Sequence, residues 1–235
     1  MKLRFKWLKK KDEGAIGIGA MIVFIAMVLV AGIAASVLIQ SANTVQLQAM
    51  STGQQTQREV SSGIEVFDVE GKINVTNGSK YDLKYLAIGV EARPGSDDID
   101  LNETFITLSN GDTEVLLRYG GYNTSKYLFT GLSSTTGDIF DLMNETAWNN
   151  TDRETYAIAV MQDADGSLKE TKPVLNRGDK AILFVRCSSS QNGTFGAEIP
   201  ERTEVFGQVI PEVGSPGVIQ FTTPKSYFDI IYDLQ

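Results

Sequence analysis

Asparagine followed two positions later by serine or threonine is the acceptor sequence for N-linked glycosylation, and this chain repeats it. Seven of its eleven asparagines begin such a sequence, although with 36 Ser and Thr in 235 residues only about two would arise by chance. The seven are Asn74, Asn77, Asn102, Asn123, Asn144, Asn149 and Asn192. Turns also collect Asn, Ser and Thr, but not to this excess. We therefore expect N-glycosylation by an oligosaccharyltransferase, with these bulky sugars facing solvent.

Acidic side chains form two short clusters that could bind a cation. The first lies in Asp97–Asp100, and the second, Asp163–Gly166, has the order in which a calcium-binding loop begins. The glutamate that closes such a loop is missing, because Val174 stands at its position. A solvated hairpin turn is the better interpretation, and the sequence assigns no metal ligand.

The residue types needed for catalysis are scarce. The chain has no histidine, which excludes imidazole-based triads and His-ligated zinc sites. Its single cysteine, Cys187, excludes an intramolecular disulfide and is predicted to be a buried small apolar residue. Gly14, Gly17 and Gly19 have no strand before them, so they do not form a phosphate-binding loop. We therefore expect that this chain is not an enzyme and that it has no catalytic residue and no cofactor.

Charge is distributed unevenly along the chain. Six of the first eleven residues are basic, whereas residues 15–235 contain 15 basic and 27 acidic side chains, a net charge of −12. Residues 15–235 are acidic enough to repel the phosphate backbone of a nucleic acid, which argues against a nucleic-acid partner. Between the two parts, Ala15–Ile39 is a run of 25 residues that is apolar except for Ser36. Such a run can span a bilayer, with the basic leader in the cytoplasm and the acidic body outside.

The uncharged region is longer than a membrane span. No Lys, Arg, Asp or Glu occurs between Glu13 and Arg58, and spaced apolar residues predict that the helix continues to about residue 60. A helix of that length measures about 60–65 Å, twice the thickness of a membrane. A membrane-anchored extracellular binding protein or enzyme stays open as an alternative, but it explains only the apolar run.

The junction after Gly14 resembles a processing site. A short charged leader ends at this glycine, and the apolar helix begins directly at Ala15. The arrangement is similar to that cut by type III, prepilin-like signal peptidases, which leave the apolar segment on the mature protein. The resemblance implies cleavage between Gly14 and Ala15 and a precursor inserted in the membrane. Secretory signal peptides differ, because their apolar region is ~7–15 residues long.

Several segments carry a wider family resemblance. They are Gly19–Ala31 near the start, Gln162–Leu168 and Val174–Asp179 in the middle, and Ile199–Val205, Ile210–Ile219, Phe221–Pro224 and Asp233–Gln235 near the end. Together they resemble the archaellins, the filament subunits of the archaeal flagellum, most strongly over residues 14–66 and 197–235. Bacterial type IV pilins usually have a glutamate where this chain has Gly19, which agrees better with the archaellins.

The resemblance implies an α+β fold and a structural function. Residues 1–14 would be a cleaved leader, 15–60 a hydrophobic filament-core helix, and 61–235 an antiparallel, Ig-like β-sandwich head. The subunit would polymerise through its helix, alone or with related archaellins, into an extracellular flagellar filament for motility. An archaeal type IV adhesion pilin is an alternative that the residues leave open.

Short apolar runs and turn dipeptides also predict a β head. Leu83–Val90 and Ala181–Cys187 are predicted strands, the second one central, and Tyr156–Met161 alternates like a half-buried strand. Turns are expected at the Asn-Gly pairs that begin at residues 77, 110 and 192 and at Asp165-Gly166. Asp138–Ala147 is predicted to be a short helix or an irregular loop.

Overall fold

A computed structural model describes residues 5–76, 79–122, 128–130, 138–143, 148, 151, 153–187, 193–196 and 198–235. The chain forms two compact units, Met1–Gln55 and Thr56–Gln235. The first unit is helical, and the second, called the head below, is built mainly from strands.

One long helix, α1, extends from Phe5 to Ser61. Every residue from 14 to 55 is exposed, including Phe24 and Val30, each 67% exposed. From Gly14 to Ser61 the helix is long and apolar enough to cross a membrane, judged by length and composition. The apolar side chains of residues 14–55 therefore have no burial within their own unit.

The strands of the head range from 2 to 14 residues in length. In chain order they are β1 (Ile64–Thr76), β2 (Ser79–Ala92), β3 (Ile99–Asp100), β4 (Phe105–Ser109), β5 (Glu114–Tyr119), β6 (Leu128–Thr130), β7 (Thr155–Gln162), β8 (Leu168–Lys169), β9 (Lys172–Leu175), β10 (Lys180–Arg186), β11 (Glu204–Ile210), β12 (Gly217–Thr222) and β13 (Ile231–Asp233). Two 3₁₀ turns, η1 (Gly120–Tyr122) and η2 (Ile139–Leu142), lie between β5 and β7.

Most strands belong to one continuous sheet. Its order is β12-β11-β4-β5-β7-β10-β2-β1-β13, with β6 also paired to β7, and β3-β9-β8 form a small second sheet. Pairing is antiparallel except where β7 meets β5 and β6. The two ends of the large sheet meet, since Gly63 bridges to Ser215 and the Gln220 amide donates to Gln235 Oε1 at 2.7 Å. The predicted fold class is confirmed, and the sandwich consists of one sheet that returns on itself.

A single apolar core fills the head. Ile88 and Leu183 contribute to it from one half of the sheet and Ile106 and Ile219 from the other, all with 0–2% exposure. Strand β10 lies between β7 and β2, so the prediction of a central strand there is confirmed. Cys187, just after β10, is fully buried as predicted, and burial raises the pKa of its thiol.

The prediction that Tyr156–Met161 is half-buried is wrong. Both faces of β7 are covered over its first half, because Tyr156 to Ala159 are each at most 1% exposed. Ala157 pairs with Phe184 of β10, and the rings of Phe140 and Trp148 lie 6.0 and 5.5 Å from the Phe184 ring. These aromatic side chains therefore cover the face that the small alanines leave open.

The segment predicted as a short helix or loop begins with η2. Asp138 caps this turn by accepting a hydrogen bond from the Phe140 amide at 2.8 Å, and it forms an ion pair with Lys72 at 2.6 Å. The following residues 144–147 lie outside the described residues. Of the predicted turns, the one at residue 110 joins β4 to β5, and Asp165-Gly166 lies between β7 and β8. The pair at 77–78 and Asn192 lie outside the described residues.

Candidate assembly and modification sites

The predicted cleavage junction lies within α1. A Cβ built on Gly14 meets no atom within 4 Å outside the local helix backbone. Packing against the part of the chain that the structure describes therefore gives no reason for a glycine at position 14. Recognition of the Gly14–Ala15 junction by a peptidase would give such a reason.

The exposed surface of α1 is a candidate assembly site. Residues 14–57 contain no charged side chain, and those from 14 to 55 are exposed in their own unit. Burying one Val, Leu, Ile or Phe side chain stabilises an association by about 1.5–3 kcal/mol. Over residues 15–39 the helix is apolar on all sides, which suits a bundle of helices or a bilayer and is unfavourable in water.

Asn102 is the predicted glycosylation site that the structure describes most fully. It lies in the turn after β3, where its amide donates to Asp100 Oδ1 at 2.9 Å. Its side-chain nitrogen donates to Glu103 Oε1 at 3.1 Å, and Glu103 is exposed. Thr104, the third residue of this acceptor sequence, is fully buried and donates to the Asp100 carbonyl at 3.0 Å. The side-chain amide of Asn102, which would accept the sugar, thus lies at the surface, while Thr104 lies in the core.

The other predicted glycosylation sites are described only in part. Asn74 lies in β1, and the remaining five lie outside the described residues: Asn77, Asn123, Asn144, Asn149 and Asn192. Three of their acceptor sequences end in described residues, Ser79, Thr151 and Thr194, and the two threonines are 0% exposed. The Thr151 hydroxyl donates to the Trp148 carbonyl at 2.8 Å. Among the described residues, no hydrogen-bond partner is found for the Thr194 hydroxyl.

The second acidic cluster gains a member that sequence reasoning missed. Asp179 joins Asp163 and Asp165, and one carboxylate oxygen from each lies within 4.8 Å of the others. The prediction of a hairpin turn is wrong, because this bend joins β7 to β8 and those two strands belong to different sheets. Within the bend, Asp163 Oδ1 accepts the Gly166 amide at 2.7 Å. Desolvation would raise the pKa of Asp165, but hydrogen bonds from Asn176 and Ser167 lower it overall. Such a group could hold a hard cation. Each carboxylate already accepts hydrogen bonds that close the loop, and we assign no metal ligand.

The first acidic cluster does not converge on one point. Asp97 forms an exposed ion pair with Arg58 at 3.3 Å. Asp100 instead accepts the hydrogen bond from the Asn102 amide described above. These two carboxylates bind separate partners around the loop between β2 and β4, and they form no candidate metal site.

The outer face of β12, β11, β4 and β5 has an apolar surface in the isolated chain. It contains an open groove of 410 Å³. Five apolar side chains on this face are more than a third exposed: Phe105, Leu116, Phe206, Ile210 and Val218. The strands lie close together at Gly207, where a Cβ would come within 2.0 Å of the Thr107 carbonyl oxygen. The groove offers contact area, and its lining lacks the paired titratable groups of a catalytic site.

Known proteins resemble this chain along nearly its whole length. Residues 14–221 match the family model of archaeal-type flagellins. Flagellin B2 of Methanocaldococcus jannaschii is 42% identical over 223 residues, covering 95% of this chain and 94% of that protein. Flagellin B3 of Thermococcus kodakarensis is 38% identical over 264 residues, covering 98% and 100%.

Solved structures agree with this assignment. The crystal structure of archaeal flagellin FlaB1 from Methanocaldococcus jannaschii matches with a TM-score of 0.60 and 34% identity, covering 74% of this chain and 97% of that one. The archaeal flagellum of Methanospirillum hungatei strain JF1 shares the fold at 14% identity, with a TM-score of 0.58 and coverage of 93% and 98%. The chain belongs to the family of archaeal-type flagellins, which are structural filament proteins and not enzymes.

Proposed function

We propose that this chain is a structural subunit of an extracellular archaeal flagellar filament for motility and that residues 15–60 form the filament core. The observation that carries the proposal is the uncharged, exposed surface of α1 over residues 14–55. Copies of this helix, from this chain or from related archaellins, bury each other's apolar side chains in the polymer. A charge in such a bundle would need a partner, and the segment contains none.

Before assembly, the same helix holds the precursor in the membrane. The basic leader stays on the cytoplasmic side, and residues 61–235 form the head outside. A prepilin-like signal peptidase removes residues 1–14, and the helix that begins at Ala15 leaves the membrane for the filament. The free space around Gly14 supports this step, because packing in the chain does not require that glycine.

The head carries N-linked glycans on the outside of the filament. The excess of acceptor sequences supports this, as does the surface position of the Asn102 side chain. An oligosaccharyltransferase transfers these glycans outside the cytoplasm. Together with the net charge of residues 15–235, −12, they give the filament a hydrated and acidic exterior.

Filaments sheared from cells that produce the chain test the proposal. Electron microscopy should show helical filaments, and amino-terminal sequencing of their subunit should give Ala15. A subunit that begins at Met1, or beyond Ile39, would contradict the core-helix model. Gly14→Trp should leave the leader uncleaved and abolish filaments. Gly53→Trp adds the same bulk where α1 also has free space, and it should leave cleavage unchanged.

A further inference from the structure

Three of the acceptor sequences end in a threonine that the folded head buries completely. Thr104, Thr151 and Thr194 are each 0% exposed. An enzyme can distinguish Asn-x-Ser/Thr from other asparagine sequences only by contacting the side chain at the third position. In the folded head, that side chain is out of reach at all three places.

Thr104 is held in the core by a buried group of hydrogen bonds. Besides its own bond to Asp100, its carbonyl accepts a hydrogen bond at 3.1 Å from Tyr156 Oη, which also lies 2.7 Å from the carbonyl oxygen of Leu101. Tyr156 and Leu101 are both fully buried. Exposing Thr104 to an enzyme therefore means breaking its bond to Asp100 and its bond from the buried Tyr156 hydroxyl.

The other two threonines are buried beside strand β10. The Trp148 carbonyl accepts hydrogen bonds from Thr151 Oγ1 at 2.8 Å and from Arg186 Nη1 at 2.6 Å. The Thr194 amide donates to the Arg186 carbonyl at 2.9 Å. Both positions depend on the completed sheet, so the two threonines become inaccessible only when the head folds.

We infer that the sequences at Asn102, Asn149 and Asn192 are glycosylated before the head folds, an inference that rests on the glycosylation proposed above. In this step the asparagine amide nitrogen attacks the anomeric carbon of an oligosaccharide linked to a lipid phosphate. A C–N bond forms, the bond from that carbon to the phosphate oxygen breaks, the lipid phosphate leaves, and the amide loses one proton to solvent. Folding then buries the threonine, and at Asn102 it leaves the sugar-bearing side chain at the surface.

The consequence is a competition between glycan transfer and folding. Once the head is folded, an unmodified Asn102 is modified only slowly, through local unfolding, because its recognition residue Thr104 is buried in the core. The fraction of subunits that carry a glycan there is therefore set by how long the exported chain remains unfolded.

An exposed acceptor sequence provides the matched control. Asp112→Thr makes Asn110 the start of Asn-Gly-Thr in the β4–β5 turn, where Gly111 and Asp112 are exposed. The full-length variant, made without glycans and folded in detergent micelles, is incubated with an oligosaccharyltransferase and a lipid-linked oligosaccharide. A parallel sample is exposed to the same oligosaccharyltransferase and lipid-linked oligosaccharide while the chain is being synthesised into membranes. Mass spectrometry then measures occupancy at each asparagine, and circular dichroism verifies that the variant is folded.

We expect both Asn110 and Asn102 to be modified during synthesis. In the folded chain, Asn102 should be modified at least about tenfold more slowly than Asn110, because Thr104 is reached only through local unfolding. Equal rates at Asn102 and Asn110 in the folded chain would overturn the inference. If Asn110 is modified during synthesis but no natural site is, the glycosylation proposal itself fails, and the inference fails with it.

A second pair of variants tests the locking of Thr104. Tyr156→Phe removes the hydroxyl that holds Leu101 and Thr104, and it should raise the occupancy of Asn102 in the folded chain severalfold. Tyr119→Phe removes a hydroxyl from the neighbouring ring, 6.0 Å from that of Tyr156, whose hydrogen bond goes to the Glu170 carbonyl at 3.1 Å and not to Leu101 or Thr104. It should leave Asn102 unchanged. Equal changes in the occupancy of Asn102 in the two variants would contradict the idea that the Tyr156 hydroxyl keeps Thr104 buried.

Discussion

Helix α1 and the β head use their apolar residues in opposite ways. In the head, large side chains such as Phe184 and Tyr156 are fully buried within the chain itself. In α1, side chains of the same kind, such as Phe24 and Val30, are exposed from residue 14 to residue 55. The head therefore supplies its own folding free energy, whereas the helix can gain burial only from a membrane or from other subunits.

The charges follow the same division. The head tolerates many carboxylates because water solvates them, and the core helix has none between Glu13 and Arg58. A substitution in α1 should therefore affect assembly and leave the head stable. A substitution in the head core should do the reverse.

The largest expected effect is loss of assembly in Val30→Asp. A charge at the centre of an apolar helix costs about 2.5–3.5 kcal/mol on membrane-insertion scales. In the filament the same carboxylate recurs in every subunit with no cation in the segment. We expect no filaments by electron microscopy, while residues 56–235 expressed alone should fold and stay monomeric. Val30→Leu is the matched control and should assemble. Normal polymerisation of Val30→Asp, or filaments of the head alone, would refute the helical-core mechanism.

One substitution made in both regions separates their roles. Phe184→Ala removes a fully buried ring that contacts Phe140 and Trp148, and it should destabilise the head by about 3–5 kcal/mol. Phe24→Ala removes a ring that is 67% exposed, so the urea unfolding of the head should not change. Filament yield should fall in Phe24→Ala. An equal loss of head stability in the two variants would contradict the conclusion that the head folds independently of the apolar surface of α1.

Local sequence patterns predict the elements of this fold better than their packing. The apolar run at 181–187 identifies the central strand, and the Asn-Gly pair at 110 identifies a hairpin, because both signals are local. The covering of Ala157 by Phe140 and Trp148 depends on side chains distant in sequence, so alternation alone gives the wrong burial for β7.

The candidate sites show the same limit. An acceptor sequence identifies Asn102 directly, but only the folded turn reveals that Thr104 is buried. Asp163 and Asp165 are visible as a pair, and Asp179 joins them only because the loop before β8 meets the turn before β10.

Within the head, one group of carboxylates is unfavourably placed. Glu70 of β1 lies directly opposite Asp233 of β13. Burial raises the pKa of Glu70, and the neighbouring carboxylates of Asp68, Asp233 and Asp138 raise it further. Burial also raises the pKa of Asp68, with Asp233 adding to it. Like charges that face each other across two strands destabilise a sheet.

The smallest expected effect is a pH-dependent gain in stability from Glu70→Gln. Because the folded pKa of Glu70 is raised, the folded head binds this proton more tightly than the unfolded chain does, and stability falls as pH rises from the ordinary glutamate value through the raised one. The variant should therefore be more stable than the parent by roughly 0.5 kcal/mol at pH 7.5. The difference should vanish near pH 4. Urea midpoints of residues 56–235 at both pH values measure it, with Glu154→Gln, an exposed carboxylate outside the group, as the control. A gain that persists at pH 4, or appears equally in the control, would show that repulsion around Glu70 is not its cause.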